Sequence, residues 1–238
     1  MKVYSIEGNI GSGKSTLLEL LKIHYQSKTD IKVVFIDEPL DVWLNIKDES
    51  GKNMLEKYYQ DQDKYAFSFQ MMAYISKLEK LINSIKTNTT NTDSEDTIFI
   101  SERSLYTDSL VFAKMLYESG KIEDVNYQIY KKWFDFFIQE SNIPEHCFIY
   151  VNTLPEKCQQ RIMKRQREGE EGIPLEYLEN CHRFHLDMMT VKKNKNQDIP
   201  NILTIDGNID ITDGNLATEI TNNWIKEIDT FIQLHTKK

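Results

Sequence analysis

Five short apolar runs recur along the chain, separated by longer segments with the periodicity of helices. The runs lie at residues 3–6, 32–36, 97–100, 147–151 and 202–205, and each is almost continuous in apolar residues. Unbroken apolar strands are typical of a parallel sheet that is covered by helices on both faces. The pattern therefore predicts five buried strands in an α/β fold.

The segments between these runs carry apolar residues at helical spacing. Helices are predicted at residues 15–26, 65–86, 105–118, 125–140, 155–167, 175–192 and 213–234. Polar segments without this spacing predict loops at 87–96 and 192–198. Strands that alternate with helices indicate a doubly wound, three-layer α/β/α arrangement, and with no internal repeat residues 1–238 are interpreted as a single domain.

The charge balance narrows the range of partners. The 238 residues include 29 Lys and Arg against 37 Asp and Glu, which gives a formal net charge of −8. A nucleic-acid binder that does not read sequence needs a basic surface to neutralise phosphates, so this balance argues against one. A local site for a small anion remains compatible with it. We expect a small-molecule substrate and no nucleic-acid partner.

Cysteine usage and the N-terminal residues bear on the cellular compartment. Cys147, Cys158 and Cys181 are odd in number and lack CxxC spacing, which favours reduced thiols over disulfides or a zinc site. No apolar run reaches the ~18 residues that span a bilayer. The first six residues lead directly into a predicted strand and leave no room for a targeting peptide. The expectation is a cytoplasmic protein without membrane association.

A glycine-rich segment after the first predicted strand carries the strongest functional signal. It matches G-x-x-x-x-G-K-S/T and precedes a predicted helix, the context in which backbone N–H groups and a helix N-terminus bind phosphates. The candidate phosphate-binding residues are Gly8, Asn9, Ile10, Gly11, Ser12, Gly13, Lys14, Ser15 and Thr16. Lys14 can reach the β- and γ-phosphates, and the Ser15 hydroxyl can ligate Mg²⁺. Such a loop serves kinases, GTPases and motor ATPases alike, but no Asn-Lys-x-Asp segment of a switch GTPase is present.

Charged residues follow the second and third predicted strands. Glu38 comes shortly after strand two, and Glu102 and Arg103 follow strand three. Strand ends in such sheets face the ligand crevice. Glu38 is placed to accept a proton from an attacking hydroxyl as a general base. From position alone, a solvated loop acid is an equally good interpretation.

A basic cluster lies near the end of the helix predicted at 155–167. Arg161 and Arg165 are four residues apart and so share a helix face, and Arg167 follows them. Guanidinium groups next to a glycine-containing loop suit a lid that grips phosphates during transfer. Composition alone slightly favours the alternative, an exposed basic face balanced by nearby glutamates.

Taken together, these segments resemble the deoxynucleoside kinase family, in particular its deoxycytidine, deoxyguanosine and deoxyadenosine kinase-like members. Besides the glycine-rich segment, the matching segments are Glu38-Pro39 followed by Trp43, FSFQ at 67–70, ERSLYTD at 102–108, and residues 161–178 with GIPLEYL. The resemblance implies a P-loop kinase fold with a five-stranded parallel sheet and an arginine lid. It also implies transfer of phosphate from ATP, with Mg²⁺, to the 5′-hydroxyl of a deoxynucleoside, and a homodimer built through the long helices after residues 65 and 105.

The resemblance implies a role for each matching residue. Glu38, Arg103 and Lys14 are implied to be catalytic, and Ser15 and Glu102 to ligate Mg²⁺. The residues implied to contact the nucleoside are Glu38, Trp43, Tyr59, Gln70, Arg103, Asp108, Phe112 and Glu170. Within this set Gln70 hydrogen-bonds the base, Phe112 stacks on it, and Tyr59 with Glu170 holds the 3′-hydroxyl. The further residues implied to bind ATP are Arg161, Arg165, Arg167, Ile209, Asp210 and Ile211; Ile209 and Ile211 depart from the family pattern, which leaves the donor triphosphate open.

Lys77 and Asp108 bear on which nucleoside is bound. Members that favour deoxycytidine and purines carry an Arg and an Asp at these two places, whereas members that favour thymidine carry uncharged residues. A lysine cannot make the bidentate fork of an arginine, but the charged pair is kept. We expect deoxyadenosine, deoxyguanosine or deoxycytidine to be favoured over thymidine.

Two alternative functions remain open from the sequence. A nucleoside monophosphate kinase, similar to thymidylate kinase, would need basic residues near Glu38 for the acceptor phosphate, and the segment 38–43 offers acids and apolar groups instead. A P-loop protein that binds nucleotide without catalysis would bind ATP whether or not residue 38 is an acid.

Overall fold

Five parallel strands form the centre of the fold. The computed structural model describes residues 1–28, 31–89, 97–167, 170, 172–193, 201–210 and 214–236, with residues 214–217 described through their backbone alone. The strands are β1 (Lys2–Glu7), β2 (Val33–Ile36), β3 (Ile98–Glu102), β4 (His146–Asn152) and β5 (Ile202–Asp206). They pair in the order β2-β3-β1-β4-β5, and every pairing is parallel. The predicted α/β fold with a five-stranded parallel sheet is confirmed.

Burial along the strands follows their place in the sheet. The three central strands β1, β3 and β4 are buried along almost their whole length. The edge strands differ, since only Ile36 of β2 and only Ile205 of β5 are fully buried. The prediction that all five strands are buried on both faces is wrong for these two, because an edge strand has one neighbouring strand instead of two.

Helices cover both faces of this sheet. The helices are α1 (Lys14–Gln26), α2 (Leu40–Asn45), α3 (Met54–Gln60), α4 (Gln62–Asn88), α5 (Leu105–Thr107), α6 (Lys114–Glu118), α7 (Asp124–Glu140), α8 (Pro155–Arg165), α9 (Leu175–Lys192) and α10 (Gly214–Thr236). A π-helical segment, Asp108–Ala113, joins α5 to α6. Alternate side chains of β1 point to opposite faces: Tyr4 and Ile6 pack with α1 and α10, and Val3 packs with α4 and α7.

Several helix boundaries differ from the sequence-based expectation. Helix α9 has the predicted bounds, but α8 ends at Arg165 because Gln166 adopts a left-handed backbone conformation with φ of 49°. Arg167 therefore lies beyond the helix, and the predicted end at residue 167 is wrong. The segments 90–96, 194–200 and 211–213 lie outside the described residues, and with them most of the two predicted loops and the first residue of the last predicted helix.

Two short helices lie where no element was predicted. Helices α2 and α3 form the segment between β2 and α4. Helix α3 begins with a reciprocal capping box, in which the Asn53 side chain accepts from the Glu56 N–H and the Glu56 carboxylate accepts from the Asn53 N–H. That Asn-x-x-Glu pattern is readable from the sequence and marks a helix start.

All three cysteines are buried and free of disulfides. None of the helices in the described part of the chain is both long enough and apolar enough to cross a bilayer.

Candidate active site

A cavity of about 620 Å³ opens at the carboxyl end of the sheet. Its walls come from the glycine-rich loop, from α2 to α4, from the residues that follow β3, from α8 with its lid loop, and from the turn after β5. Nearly all of the predicted site residues line this cavity. The exceptions are Gly8 and Asn9, which lie behind its wall, and Ile211, which falls outside the described residues.

The loop at residues 8–16 has a backbone that requires its glycines. Gly8 and Gly11 have positive φ angles of 145° and 75°, and a Cβ at either position would come within 2.6 Å of a backbone oxygen, of Val151 or Cys158 respectively. Asn9 fixes the loop from behind, because its amide donates to the Leu178 carbonyl at 2.8 Å. The close packing of loop backbone against β4 and α8 explains why glycines occur at this spacing.

Lys14 lies inside the loop in the position expected of a phosphate-binding lysine. Its Nζ donates to the carbonyl of Asn9 at 2.7 Å. Burial, followed by the nearby Arg103 guanidinium, lowers the pKa of Lys14 to about 7. A bound polyphosphate would supply the negative charge that favours the protonated form of this lysine.

Ser15 and Glu102 meet as the resemblance implies for a Mg²⁺ site. The Ser15 hydroxyl donates to Glu102 Oε1 at 2.8 Å. A hydroxyl and a carboxylate are hard oxygen ligands, and Mg²⁺ typically takes only one or two such groups from a protein and the rest from phosphates and water. The donor set therefore fits Mg²⁺, and in the described residues no cluster of three or more His, Cys, Asp and Glu offers a different metal site.

Four charged side chains form the centre of the cavity. Glu38 Oε1 lies 3.4 Å from Arg103 Nε and 3.2 Å from Lys77 Nζ, and Lys77 Nζ also lies 2.7 Å from Asp108 Oδ1. Burial alone would raise the pKa of Glu38, but Lys77, Arg103 and Lys14 outweigh it and hold the pKa below its usual value. Glu38 is therefore held as a carboxylate at neutral pH, the form a general base needs.

Asp108 behaves differently although it contacts the same lysine. Its side chain is only 1% exposed. Burial raises the pKa of Asp108 to about 6 in spite of the Lys77 contact. The two carboxylates that share Lys77 thus have pKa values displaced in opposite directions.

Arg103 is fixed by contacts on several sides. Its backbone is left-handed, with φ of 62°, and its Nη1 donates to the Gly8 carbonyl at 2.8 Å. The guanidinium lies 5.0 Å from the centre of the Phe112 ring and 3.4 Å from Nε2 of His185. Because His185 Nδ1 is bonded to the Cys181 carbonyl at 2.6 Å, Nε2 is left as the acceptor. These contacts place the guanidinium between the loop and Glu38.

The far end of the cavity combines aromatic rings with unsatisfied polar atoms. Trp43 is held there by a 2.9 Å bond from its indole N–H to Ser76. Gln70 Oε1 and Asp108 Oδ2 are buried and have no hydrogen-bond partner among the described residues, although both residues line the cavity. Buried polar atoms are nearly always satisfied, so these two oxygens indicate a ligand that donates hydrogen bonds here.

The lid residues form two separate clusters. Arg165 Nε donates to Glu170 at 3.0 Å, and Arg167 donates to the same carboxylate at 3.3 Å. Arg161 instead binds Asp210 at 2.9 Å and the carbonyl of Ser12 at 3.1 Å. All three arginines line the cavity, and two of them are balanced by a nearby glutamate. Burial, with the neighbouring Tyr58 and Glu170, raises the pKa of Tyr59 well above its usual value, and this hydroxyl stays protonated.

Several cavity residues were missed from the sequence. The sequence predicts Lys77 only as a partner of Asp108, and its contact with Glu38 was missed. It lies seven residues after Gln70 on α4, a two-turn spacing that puts both on one helix face and that could have identified it. Tyr58 and Tyr177, whose hydroxyls lie 2.8 Å apart, also line the cavity, and no sequence signal marks that pair.

Comparison with known proteins gives a consistent result. The profile of the deoxynucleoside kinase family matches residues 4–233. Deoxycytidine kinase 2 of Gallus gallus is 34% identical over 251 residues, covering 98% of this chain and 91% of that protein. Deoxycytidine kinase of Homo sapiens is 35% identical over 232 residues, covering 90% and 86%. Mitochondrial thymidine kinase 2 of Homo sapiens is 33% identical over 183 residues, covering 77% and 62%.

Proposed function

Because the chain belongs to the deoxynucleoside kinase family, we propose that it transfers the γ-phosphate of ATP to the 5′-hydroxyl of deoxyadenosine, deoxyguanosine or deoxycytidine in preference to thymidine. Its activity as an ATP-dependent deoxynucleoside kinase follows from that membership. The base preference, the role of each residue and the use of Mg²⁺ are the proposed parts. The observation that carries the proposed phosphoryl transfer is the Glu38 carboxylate, which faces the same cavity as the phosphate-binding loop.

The contacts support a mechanism of direct phosphoryl transfer. ATP phosphates bind to the loop at residues 8–16 and to Lys14, and the lid arginines approach from the other side. Glu38 accepts the proton of the 5′-hydroxyl, the oxygen bonds to the γ-phosphorus, the bond to the β–γ bridging oxygen breaks, and ADP leaves. Arg103, 3.4 Å from Glu38, neutralises charge between donor and acceptor. Mg²⁺, held by Ser15 and Glu102, would neutralise the β- and γ-phosphate oxygens.

The base preference rests on two hydrogen-bond acceptors. Gln70 Oε1 and Asp108 Oδ2 are buried without partners among the described residues. Adenine, guanine and cytosine each carry an exocyclic amino group with two N–H donors, whereas thymine has only its ring N3–H and would leave one of the two acceptors unpaired. Leaving a buried acceptor unpaired costs about 1–3 kcal/mol, or roughly 5- to 150-fold in kcat/KM. We therefore expect thymidine to be the poorest of the four substrates.

A panel of the four deoxynucleosides with ATP and Mg²⁺ tests this proposal. The expected result is phosphorylation of at least one amino-bearing nucleoside with a kcat/KM about tenfold or more above that of thymidine. Thymidine as the best substrate would contradict the base preference and leave the kinase activity intact. Activity with none of the four would contradict the proposed function itself.

Deoxynucleoside monophosphates belong in the same panel because they distinguish the main alternative. A monophosphate acceptor needs cations for its phosphate, but Lys77 and Arg103 are already paired with Glu38. The negative Glu38 carboxylate would repel the acceptor phosphate. We expect no phosphorylation of the monophosphates, and turnover of thymidylate above that of every nucleoside would favour the thymidylate kinase alternative.

Helix α7 supports a homodimer as the working form. Val125, Ile129, Trp133 and Phe136 lie along one side of α7 at helical spacing, and each is between 42% and 63% exposed. An apolar stripe of this kind on a monomer is typical of an interface. The resemblance implies a homodimer through the helices after residues 65 and 105, and we place the contact with the second copy of the chain on α7 instead. We further propose a reducing compartment such as the cytoplasm, on the ground of the free buried cysteines.

A further inference from the structure

Lys77 lies between two buried carboxylates that serve different parts of the nucleoside. Its Nζ is 3.2 Å from Oε1 of Glu38, next to the reacting hydroxyl in the proposed mechanism, and 2.7 Å from Oδ1 of Asp108, at the base. Its side chain is 8% exposed, so water screens these contacts little. One ammonium group thus contacts both the proposed general base and a proposed base-reading acid.

The other cations near Glu38 have additional partners. Arg103 approaches from the segment after β3 and also binds the Gly8 carbonyl and the Phe112 ring. Lys14 approaches from α1 and donates to the loop carbonyl of Asn9. Lys77 approaches from α4, where the ring of Trp43 lies 5.4 Å away and Asp108 is the competing anion. Among the described residues, these three cations and Asp108 are the charged groups that interact electrostatically with Glu38 strongly enough to contribute to a pKa shift.

We propose that Lys77 is a positioning residue that couples base recognition to catalysis, because it divides its charge between Asp108 and Glu38. This inference rests on the proposed function, since it assigns Glu38 and Asp108 to the two ends of a nucleoside. The three N–H donors of a lysine let it contact both carboxylates, but its single compact charge is shared between them, and it lacks the rigid bidentate fork of an arginine. When a nucleobase amino group donates a hydrogen bond to Asp108, that carboxylate interacts less strongly with Lys77. The lysine then interacts more strongly with Glu38.

The pKa of Glu38 is lowered and that of Asp108 is raised, which agrees with a Lys77 charge that is divided between the two carboxylates. Burial would lower the pKa of Lys77, but Asp108 and Glu38 together outweigh it and raise that pKa. Removing the lysine charge should therefore raise the pKa of Glu38. Neutralising Asp108 should lower it, because Glu38 then loses a like charge and keeps the whole ammonium.

Carbon-13 NMR titration of the glutamate carboxyl carbons in the ligand-free protein tests these signs directly. The Glu38 signal is identified by its loss in Glu38→Gln. We expect the Glu38 midpoint to rise by about 1 pH unit or more in Lys77→Met, to fall in Asp108→Asn, and to return towards the wild-type value in Lys77→Arg. The Glu38 midpoint in Asp108→Asn is compared with that in the double variant Lys77→Met/Asp108→Asn. Because both proteins lack the Asp108 charge, the difference between them is the effect of the lysine on Glu38 alone.

Kinetics with deoxyadenosine provide the second measurement. The acidic limb of kcat/KM against pH should move to higher pH in Lys77→Met and back in Lys77→Arg. Lys86→Met is the matched control, because it removes the same charge from an exposed position on α4 and should move neither the limb nor the Glu38 midpoint. Thermal unfolding shows whether each variant is folded. If Lys77→Met is not folded, Asp108→Asn still tests the predicted fall in the Glu38 midpoint.

An unchanged Glu38 midpoint in folded Lys77→Met, or the same direction of shift in Lys77→Met and Asp108→Asn, would overturn the coupling. A wild-type protein without any kinase activity would instead contradict the proposed function. The NMR titration would still measure the effect of the lysine on the pKa of Glu38. The two failures are therefore distinguishable.

Discussion

At the residue scale, the site depends on side chains whose charge is set by their neighbours. Burial alone would raise the pKa of Glu38, and this pKa is instead lowered because Lys77 and Arg103 lie within 3.4 Å of the carboxylate. Arg103 is held in turn by the Gly8 carbonyl and by Nε2 of His185. Burial and the Arg103 charge place the pKa of His185 well below its usual value, so the ring is neutral and can accept from the guanidinium.

The variant Glu38→Gln tests the role of the acid. The amide has nearly the same shape but cannot take a proton, so kcat should fall by ~10²–10⁴, the usual contribution of a general base. Binding of ATP should be retained or slightly tighter, because the variant removes a negative charge near Lys14 without removing an ion pair to the phosphate loop. Steady-state kinetics and calorimetric titration with ATP measure the two quantities.

A protein that binds nucleotide without catalysis predicts a different outcome for the same variant. ATP binding would then be the same in Glu38→Gln and in the wild-type protein, and neither protein would transfer phosphate to a nucleoside. A kcat within about threefold of wild type would remove Glu38 from the mechanism, since a general base is worth far more than that.

At the element scale, a half-buried acid joins α10 to α1 in addition to their apolar contacts. Asp229 on α10 accepts hydrogen bonds from Tyr25 and from His24 on α1, and from Lys28 just beyond it. Burial would raise the pKa of Asp229, but Lys28, Tyr25 and His24 outweigh it and lower that pKa. The helix that carries the phosphate loop is thereby tied to the last helix of the chain.

The variant Asp229→Asn should therefore lower the free energy of unfolding by about 1–3 kcal/mol at pH 7, the usual range for hydrogen bonds to a charged group. The folded-state pKa is depressed, so this stabilisation is complete above the unfolded-state pKa of about 3.9 and is lost as the pH falls through the folded value. Urea unfolding of both proteins between pH 7 and pH 3 should show the difference shrinking only below about pH 4.

A surface ion pair is the control for this prediction. Asp63 pairs with Lys121 but is 73% exposed, so Asp63→Asn should change stability by less than about 1 kcal/mol. Equal losses in the two variants would mean that the contacts of Asp229 contribute no more than an exposed pair.

At the scale of the whole molecule, the exposed apolar side of α7 is the proposed dimer interface. Trp133 is 46% exposed, and its ring stacks on Phe137 at 5.6 Å. A lysine at this place would put a charge at the centre of an apolar interface and cost several kcal/mol on association. Wild-type protein at micromolar concentration should sediment with the mass of a dimer, and Trp133→Lys with that of a monomer.

Val191→Lys is the control for the assembly measurement. Val191 is an exposed apolar residue on α9, 72% exposed and away from the α7 stripe, so this change should leave the mass unchanged. A monomeric wild-type protein, or a dimer that persists in Trp133→Lys, would show that the α7 stripe is not the interface.

The features of the site that sequence patterns could not predict are contacts between residues that lie far apart in the chain. Lys77 and Asp108 lie 31 residues apart, and their contact depends on how α4 packs against the π-helical segment after β3. The contact of Lys77 with Glu38 spans 39 positions and was not predicted. The lid residues show the same limit, because Arg161 and Arg165 share a helix face yet bind acids from different loops.

The sequence by itself determined the parts of this protein that are encoded locally. Runs of apolar residues identified five parallel strands, the glycine spacing identified the phosphate loop, and ordered motifs placed nearly all the site residues on one cavity. The tertiary structure alone decided which strands lie at the edges, where α8 ends, and which carboxylates share a cation. Periodicity and motif spacing depend on neighbours along the chain, whereas burial and charge pairing depend on neighbours in space.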